Sequence, residues 1–124
     1  MGAHILGLTN IDGKGVAGVE KFFDSYLSGG TGPLKLSLDT RIQAILHEEV
    51  EKTVGKFRAI GAAGVIMDVQ TGEILAMVSL PDYDPNFPNK MEEGTSFNRA
   101  TKGVYEMGST FKLFTVAAAL DMNI

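Results

Sequence analysis

The sequence predicts an α+β fold, and three stretches of its 124 residues carry that reading. Residues 39–57 repeat apolar positions with helical period, residues 63–80 hold two β-rich runs around a glycine turn, and an apolar helix opens at Ser109. Residues 81–108 connect hairpin and last helix. With Pro81, Pro85 and Pro88 and little periodicity they read as a long loop, a kind that is usually functional or ordered by its neighbours.

Residues 1–36 are glycine-rich and read as a connector rather than a core. Ile11-Asp12-Gly13-Lys14-Gly15 is a turn, Val16 to Leu27 a short amphipathic helix, and Ser28-Gly29-Gly30-Thr31-Gly32-Pro33 a breaker. The 39–57 helix has Asp39 as N-cap, with Ile42, Ile45, Leu46, Val50, Thr53, Val54 and Phe57 at helical spacing. Glu48, Glu49, Glu51 and Lys52 take the opposite, solvated face. In the hairpin, Val65–Val69 and Ile74–Val78 flank Gln70-Thr71-Gly72-Glu73, where Gly72 supplies the positive φ of a tight turn. A lone hairpin is marginally stable, so these strands need partners.

Composition narrows the class. With 44% hydrophobic residues and a formal charge of −4, the chain is too balanced for disorder, and its 11 Lys and Arg form no basic block for nucleic acid. Cysteine is absent, and His4 and His47 stand far apart, so nothing indicates a disulfide, a metal site or a cofactor. No stretch reads as a secretory signal or membrane span, because the longest apolar runs are about eight residues where a span needs about twenty. Met1-Gly2 opens like a myristoylation signal, but Leu6 stands where Ser or Thr is required.

The chemistry is concentrated in Gly108-Ser109-Thr110-Phe111-Lys112, followed by Leu113-Phe114-Thr115-Val116-Ala117-Ala118-Ala119-Leu120. Three residues apart at a helix start, Ser109 and Lys112 share a face, the layout of a serine nucleophile with a lysine base. Lysine accepts a proton near neutrality only if apolar surroundings disfavour its charged form. The helix N-terminus favours negative charge developing beside Ser109. By itself the tetrapeptide reads more readily as an N-cap serine with a snorkelling lysine. A helix apolar all round needs covering surface.

The order of elements carries a resemblance. Leu38-Asp39-Thr40-Arg41-Ile42-Gln43, the hairpin from Ala63 to Met77, Tyr83-Asp84-Pro85-Asn86, Asn98-Arg99-Ala100 and Tyr105-Glu106-Met107-Gly108-Ser109-Thr110-Phe111-Lys112 resemble the first part of the transpeptidase domain of class B penicillin-binding proteins. The stretch from Gly15 to Asp24 resembles the segment that precedes that domain, which divides the chain into residues 1–36 and 37–124. Met107 stands where many relatives have proline.

The resemblance implies the N-terminal portion of a serine β-lactamase/penicillin-binding fold, with Ser109 the acylated nucleophile, Lys112 its base and the Ser109 N–H part of an oxyanion hole. It implies a longer protein that cross-links peptidoglycan stem peptides, is acylated by β-lactams, works with divisome proteins in septal synthesis, and sits on the periplasmic side of the bacterial inner membrane. The family's Ser-x-Asn and Lys-Ser/Thr-Gly motifs lie further along than Ser-x-x-Lys and do not occur between Lys112 and Ile124, so the chain alone is expected to be inactive. The alternative is a non-catalytic β-lactam sensor or scaffold on the same fold. The uncovered hairpin edge and apolar helix imply self-association.

Overall fold

The computed structural model describes residues 2–30 and 32–124, so Met1 of the myristoylation reading and Thr31 of the breaker lie outside the described residues. In chain order the elements are α1 (Ala3–Leu6), β1 (Leu8–Thr9), β2 (Gly15–Ala17), α2 (Gly18–Phe22), α3 (Asp24–Ser28), α4 (Thr40–Phe57), β3 (Ala62–Met67), β4 (Ile74–Leu80), α5 (Arg99–Lys102) and α6 (Lys112–Asp121). Short 3₁₀ turns occupy Pro88–Lys90 and Gly108–Phe111.

The expected helix from Val16 to Leu27 divides. Gly15–Ala17 pairs with Leu8–Thr9 as a small antiparallel ribbon, and the rest breaks at Phe23 into α2 and α3. The Asp24 carboxylate accepts the Gly15 N–H at 2.8 Å, tying α3 back to the ribbon. This N-terminal part is attached to the remainder by the Tyr83 hydroxyl, which donates to Ala3 O at 3.1 Å, and by His4 Nε2, which donates to Thr95 O at 2.6 Å. His4 and Tyr83 also stack edge to face, and burial pushes the Tyr83 phenol up from its ordinary pKa.

Asp39 caps α4 as the sequence indicates, accepting the N–H groups of Arg41 and Ile42 at 2.8 and 3.3 Å. The Arg41 guanidinium adds a 2.8 Å bond, and together these hold the Asp39 carboxyl well below the usual carboxylate range. The helix ends where Arg58 turns left-handed at φ 51°, with the Ala59 N–H returning to Val54 O. Its exposed side carries Lys52 bridged to Glu48 and Glu49, a solvated pairing of little energetic weight.

The inner face of α4 differs from the expected one. Ile42, Leu46, Val50 and Val54 turn inward as read, whereas Ile45, Thr53 and Phe57 are exposed and Gln43 is the buried residue of the helix. The face is set by its contact with β3 and β4, where Ala76, Val78 and Leu80 form the core opposite Ile66, Gly64 and Ala62. Gly64 permits a close approach, since a Cβ there would lie 3.0 Å from Leu46 Cδ1 and 3.1 Å from Val50 Cγ2.

Gln43 is buried because β4 uses it. Its carboxamide donates to Met77 O at 2.8 Å and accepts the Met77 N–H at 2.9 Å. One side chain thereby completes both backbone groups of a strand residue, as a neighbouring strand would. The segment before α4 continues the same edge, with the Asp39 N–H donating to Leu75 O and the Ser37 hydroxyl to Ile74 O.

At the tip, Gly72 takes φ 76° as its position requires. The turn opens earlier than the sequence suggests: Asp68 accepts the N–H groups of Gln70 and Thr71 at 2.8 and 2.9 Å, and Val69 is turned out to solvent.

Two outcomes follow from these caps. Gln43→Leu should destabilise the chain by about 2–4 kcal/mol, because two buried backbone groups lose their partners; urea unfolding checks it. The depressed Asp39 pKa contributes stability that is complete above the unfolded-state value of about 3.9 and is lost as pH falls. Thermal melts of wild type and Asp39→Ala should therefore differ most near neutrality and converge as the pH is lowered below about 4.

Candidate active site

From β4 the chain runs to Ser109 through an ordered loop. Asp84 organises its start by accepting the Asn86 N–H at 2.9 Å, and the Thr95 hydroxyl donates to Glu92 O at 2.7 Å. The loop then docks on the sheet through Ser79, 2% exposed, whose hydroxyl donates to Phe97 O at 3.2 Å and accepts the Arg99 N–H at 2.9 Å. Asn98, also buried, caps α5 by accepting the Ala100 N–H at 3.0 Å. His47 on α4 meets Asp82 at 3.0 Å and holds the first residues after β4. The loop is thus ordered by its neighbours, as its length suggests.

Beyond α5 the support thins. The Tyr105 hydroxyl donates to Arg99 O at 3.2 Å, and residues 104–118 are all exposed. Gly108 adopts φ 53°, the left-handed region that favours glycine, and starts the 3₁₀ turn in which Ser109 lies; the α-helix proper begins at Lys112. The sequence places the helix start at Ser109, and the difference is one of winding. In a 3₁₀ turn residues three apart eclipse, so Ser109 and Lys112 remain on one side.

Among the described residues, neither the Ser109 hydroxyl nor the Lys112 ammonium has a hydrogen-bond or ion-pair partner. Both are exposed. Along α6, Leu113, Phe114, Val116 and Leu120 are 55–72% exposed, and the Phe111 and Phe114 rings, 5.3 Å apart, cover each other. The apolar setting that lysine needs to act as a base is therefore absent around Lys112 in this chain. No cluster of ligating side chains able to hold a metal occurs among the described residues.

The family model of the penicillin-binding protein transpeptidase domain matches residues 62–124, from the start of β3 through α6. The chain belongs to the penicillin-binding-protein transpeptidase family. Relatives include a protein of Caulobacter vibrioides named as probable peptidoglycan D,D-transpeptidase FtsI, 45% identical over 98% of this chain and 21% of its own length. The peptidoglycan D,D-transpeptidase FtsI of Escherichia coli K12 is 34% identical over 98% of this chain and 25% of its own length. A Neisseria gonorrhoeae protein named as probable peptidoglycan D,D-transpeptidase PenA is 35% identical over 96% and 25%. The chain therefore spans about a quarter or less of the length of these relatives.

The residues that sequence reading missed are Gln43, Ser79 and the Asn98–Arg99 pair as a docking device. A polar residue on the apolar stripe of α4 was the available signal for Gln43. Ser79 gives no such signal, because its partners lie 18 and 20 positions away.

Ser79→Ala should weaken the attachment of the loop by about 1–2 kcal/mol through loss of a buried bridge between Phe97 and Arg99. Hydrogen exchange should show the Arg99 amide losing protection while the amides of α4 keep theirs.

Proposed function

We propose that this chain is part of a peptidoglycan D,D-transpeptidase and contributes its nucleophile, Ser109, and its general base, Lys112. The observation that supports this most is the placement of both residues on one side of a 3₁₀ turn that enters an apolar helix, within the matched domain. In the whole protein, covering α6 would disfavour the ammonium of Lys112 and leave a neutral amine. That amine takes the Ser109 hydroxyl proton as the serine oxygen bonds to the carbonyl carbon of the penultimate D-alanine of a stem peptide. The Ser109 N–H, at the N-terminal end of the turn, donates to the developing oxyanion. The bond to the terminal D-alanine breaks and its nitrogen leaves with a proton. An amine of a neighbouring strand then displaces serine from the acyl-enzyme, forming the cross-link and returning a proton to Ser109.

The family and the named relatives favour peptidoglycan as substrate and β-lactams as acylating mimics. The resemblance to cell-division relatives supports a septal role beside divisome proteins, on the periplasmic side of the inner membrane. No helix among the described residues is long and apolar enough to cross a membrane. The chain alone is read as inactive, since nucleophile, base and surroundings act as a unit.

The test uses labelled penicillin and intact-protein mass spectrometry. In the whole protein a stoichiometric adduct should form and vanish in Ser109→Ala. Lys112→Arg should slow acylation by about 10²–10⁴, because arginine stays protonated and cannot accept the serine proton. Acylation of Lys112→Arg within a few-fold of wild type would place the base elsewhere. Acylation without peptide cross-linking would indicate a sensor instead. The 124-residue chain should show no adduct within minutes.

A further inference from the structure

Arg99 is held at both of its backbone groups by side chains from outside its own helix. Its N–H donates to the buried Ser79 hydroxyl of β4 at 2.9 Å, and its C=O accepts the Tyr105 hydroxyl at 3.2 Å. The carbonyl is open to this bond because α5 spans only Arg99–Lys102, and the Gly103 N–H, four residues on, does not return to it. The Tyr105 hydroxyl supplies the donor that a further helical turn would have given.

Gly103 makes room for that bond. Its φ of −69° and ψ of 138° suit any residue, so the glycine provides space rather than backbone freedom. A Cβ there would collide with the Tyr105 hydroxyl, with the edge of its ring and with Arg99 O. The residue that receives the bond is itself fixed. Asn98 caps α5, the Arg99 guanidinium lies 5.9 Å from the centre of the Phe97 ring, and its Nε fills the space that a side chain on Gly61 would need.

Tyr105 stands four residues before Ser109. Beyond it the bonds turn local: Gly108 is left-handed, and the Thr110 N–H returns to Met107 O at 3.1 Å. Among the described residues, the Tyr105 hydroxyl makes the last hydrogen bond along the chain that reaches back to the sheet-docked part before Ser109.

We infer that Tyr105, given room by Gly103, is a positioning residue for Ser109. Through Arg99 and Ser79 it sets the approach to the serine relative to β4, and every contact in this relay lies between residues 79 and 105. Its hydroxyl is engaged with Arg99 O, so it acts through the course it gives to residues 106–108 and not on the reacting groups. The inference rests on the reading of Ser109 as the acylated serine.

The test follows the rate of acylation of the whole protein by labelled penicillin over a range of pH. Tyr105→Phe keeps the ring and removes the donor, so acylation should slow by about tenfold, because small displacements of a nucleophile are costly. The pH midpoint of acylation and the melting temperature should stay at their wild-type values, as expected of a residue that neither moves a proton nor carries the fold. Gly103→Ala should slow acylation at least as much. The double variant should be slower than Gly103→Ala by no more than about twofold, since both changes remove the same contact.

A Tyr105→Phe protein that acylates within about twofold of wild type would overturn the inference, as would losses in the two variants that simply multiply. A shifted pH midpoint, or a rate loss accompanied by a lower melting temperature, would equally overturn it, by giving Tyr105 a part in proton transfer or in stability alone. An adduct that persists in Ser109→Ala would instead remove the reading on which the inference rests, and the inference with it. If Gly103→Ala fails to fold, Tyr105→Phe decides.

Discussion

The carboxamide of Gln43 closing on both backbone groups of Met77 is the contact on which the arrangement rests. A two-stranded hairpin has too little buried surface to stand alone, and a helix laid on one of its faces leaves both strand edges unsatisfied. Gln43 solves half of that problem from within α4. It fixes the rotation of the helix about its own axis, sets Leu46 and Val50 over Gly64, and leaves Ile45 and Phe57 in solvent. A leucine at this position would fit the apolar stripe and leave the strand's donor and acceptor bare.

β4 thereby becomes the anchored strand and β3 the open one. Everything attached to β4 is ordered: Ser37 and Asp39 on its edge, α1 near its face, and the loop that docks through Ser79. That attachment carries the chain as far as Tyr105. From there to α6 the polypeptide holds its local shape through its own helical bonds and contributes no buried side chain.

The candidate nucleophile sits on this least supported part. Local geometry and chemical environment have different sources here. The 3₁₀ turn, the left-handed Gly108 and the shared side of Ser109 and Lys112 come from neighbours in sequence, and the structure has them. Favouring a neutral amine at Lys112 requires low-dielectric surroundings on several sides, which a helix facing water cannot provide. The relatives, four to five times longer, have ample chain to cover such a helix.

Sequence alone determined what short-range physics controls: the cap at Asp39, the glycine at the hairpin tip, the helical period of α4, and the Ser109–Lys112 spacing at the entry to α6. Each depends on residues within a turn of one another. Tertiary structure decided the rest. It divided the Val16–Leu27 helix because Gly15–Ala17 found a strand partner, and it turned Ile45 outward because α4 follows the demands of Met77. Ser79 became the point where the loop docks and Arg99 an unpaired donor through contacts about twenty or more positions apart. Hydrogen bonding of a strand edge is satisfied by whatever the fold brings there, and a one-dimensional pattern does not record what arrives.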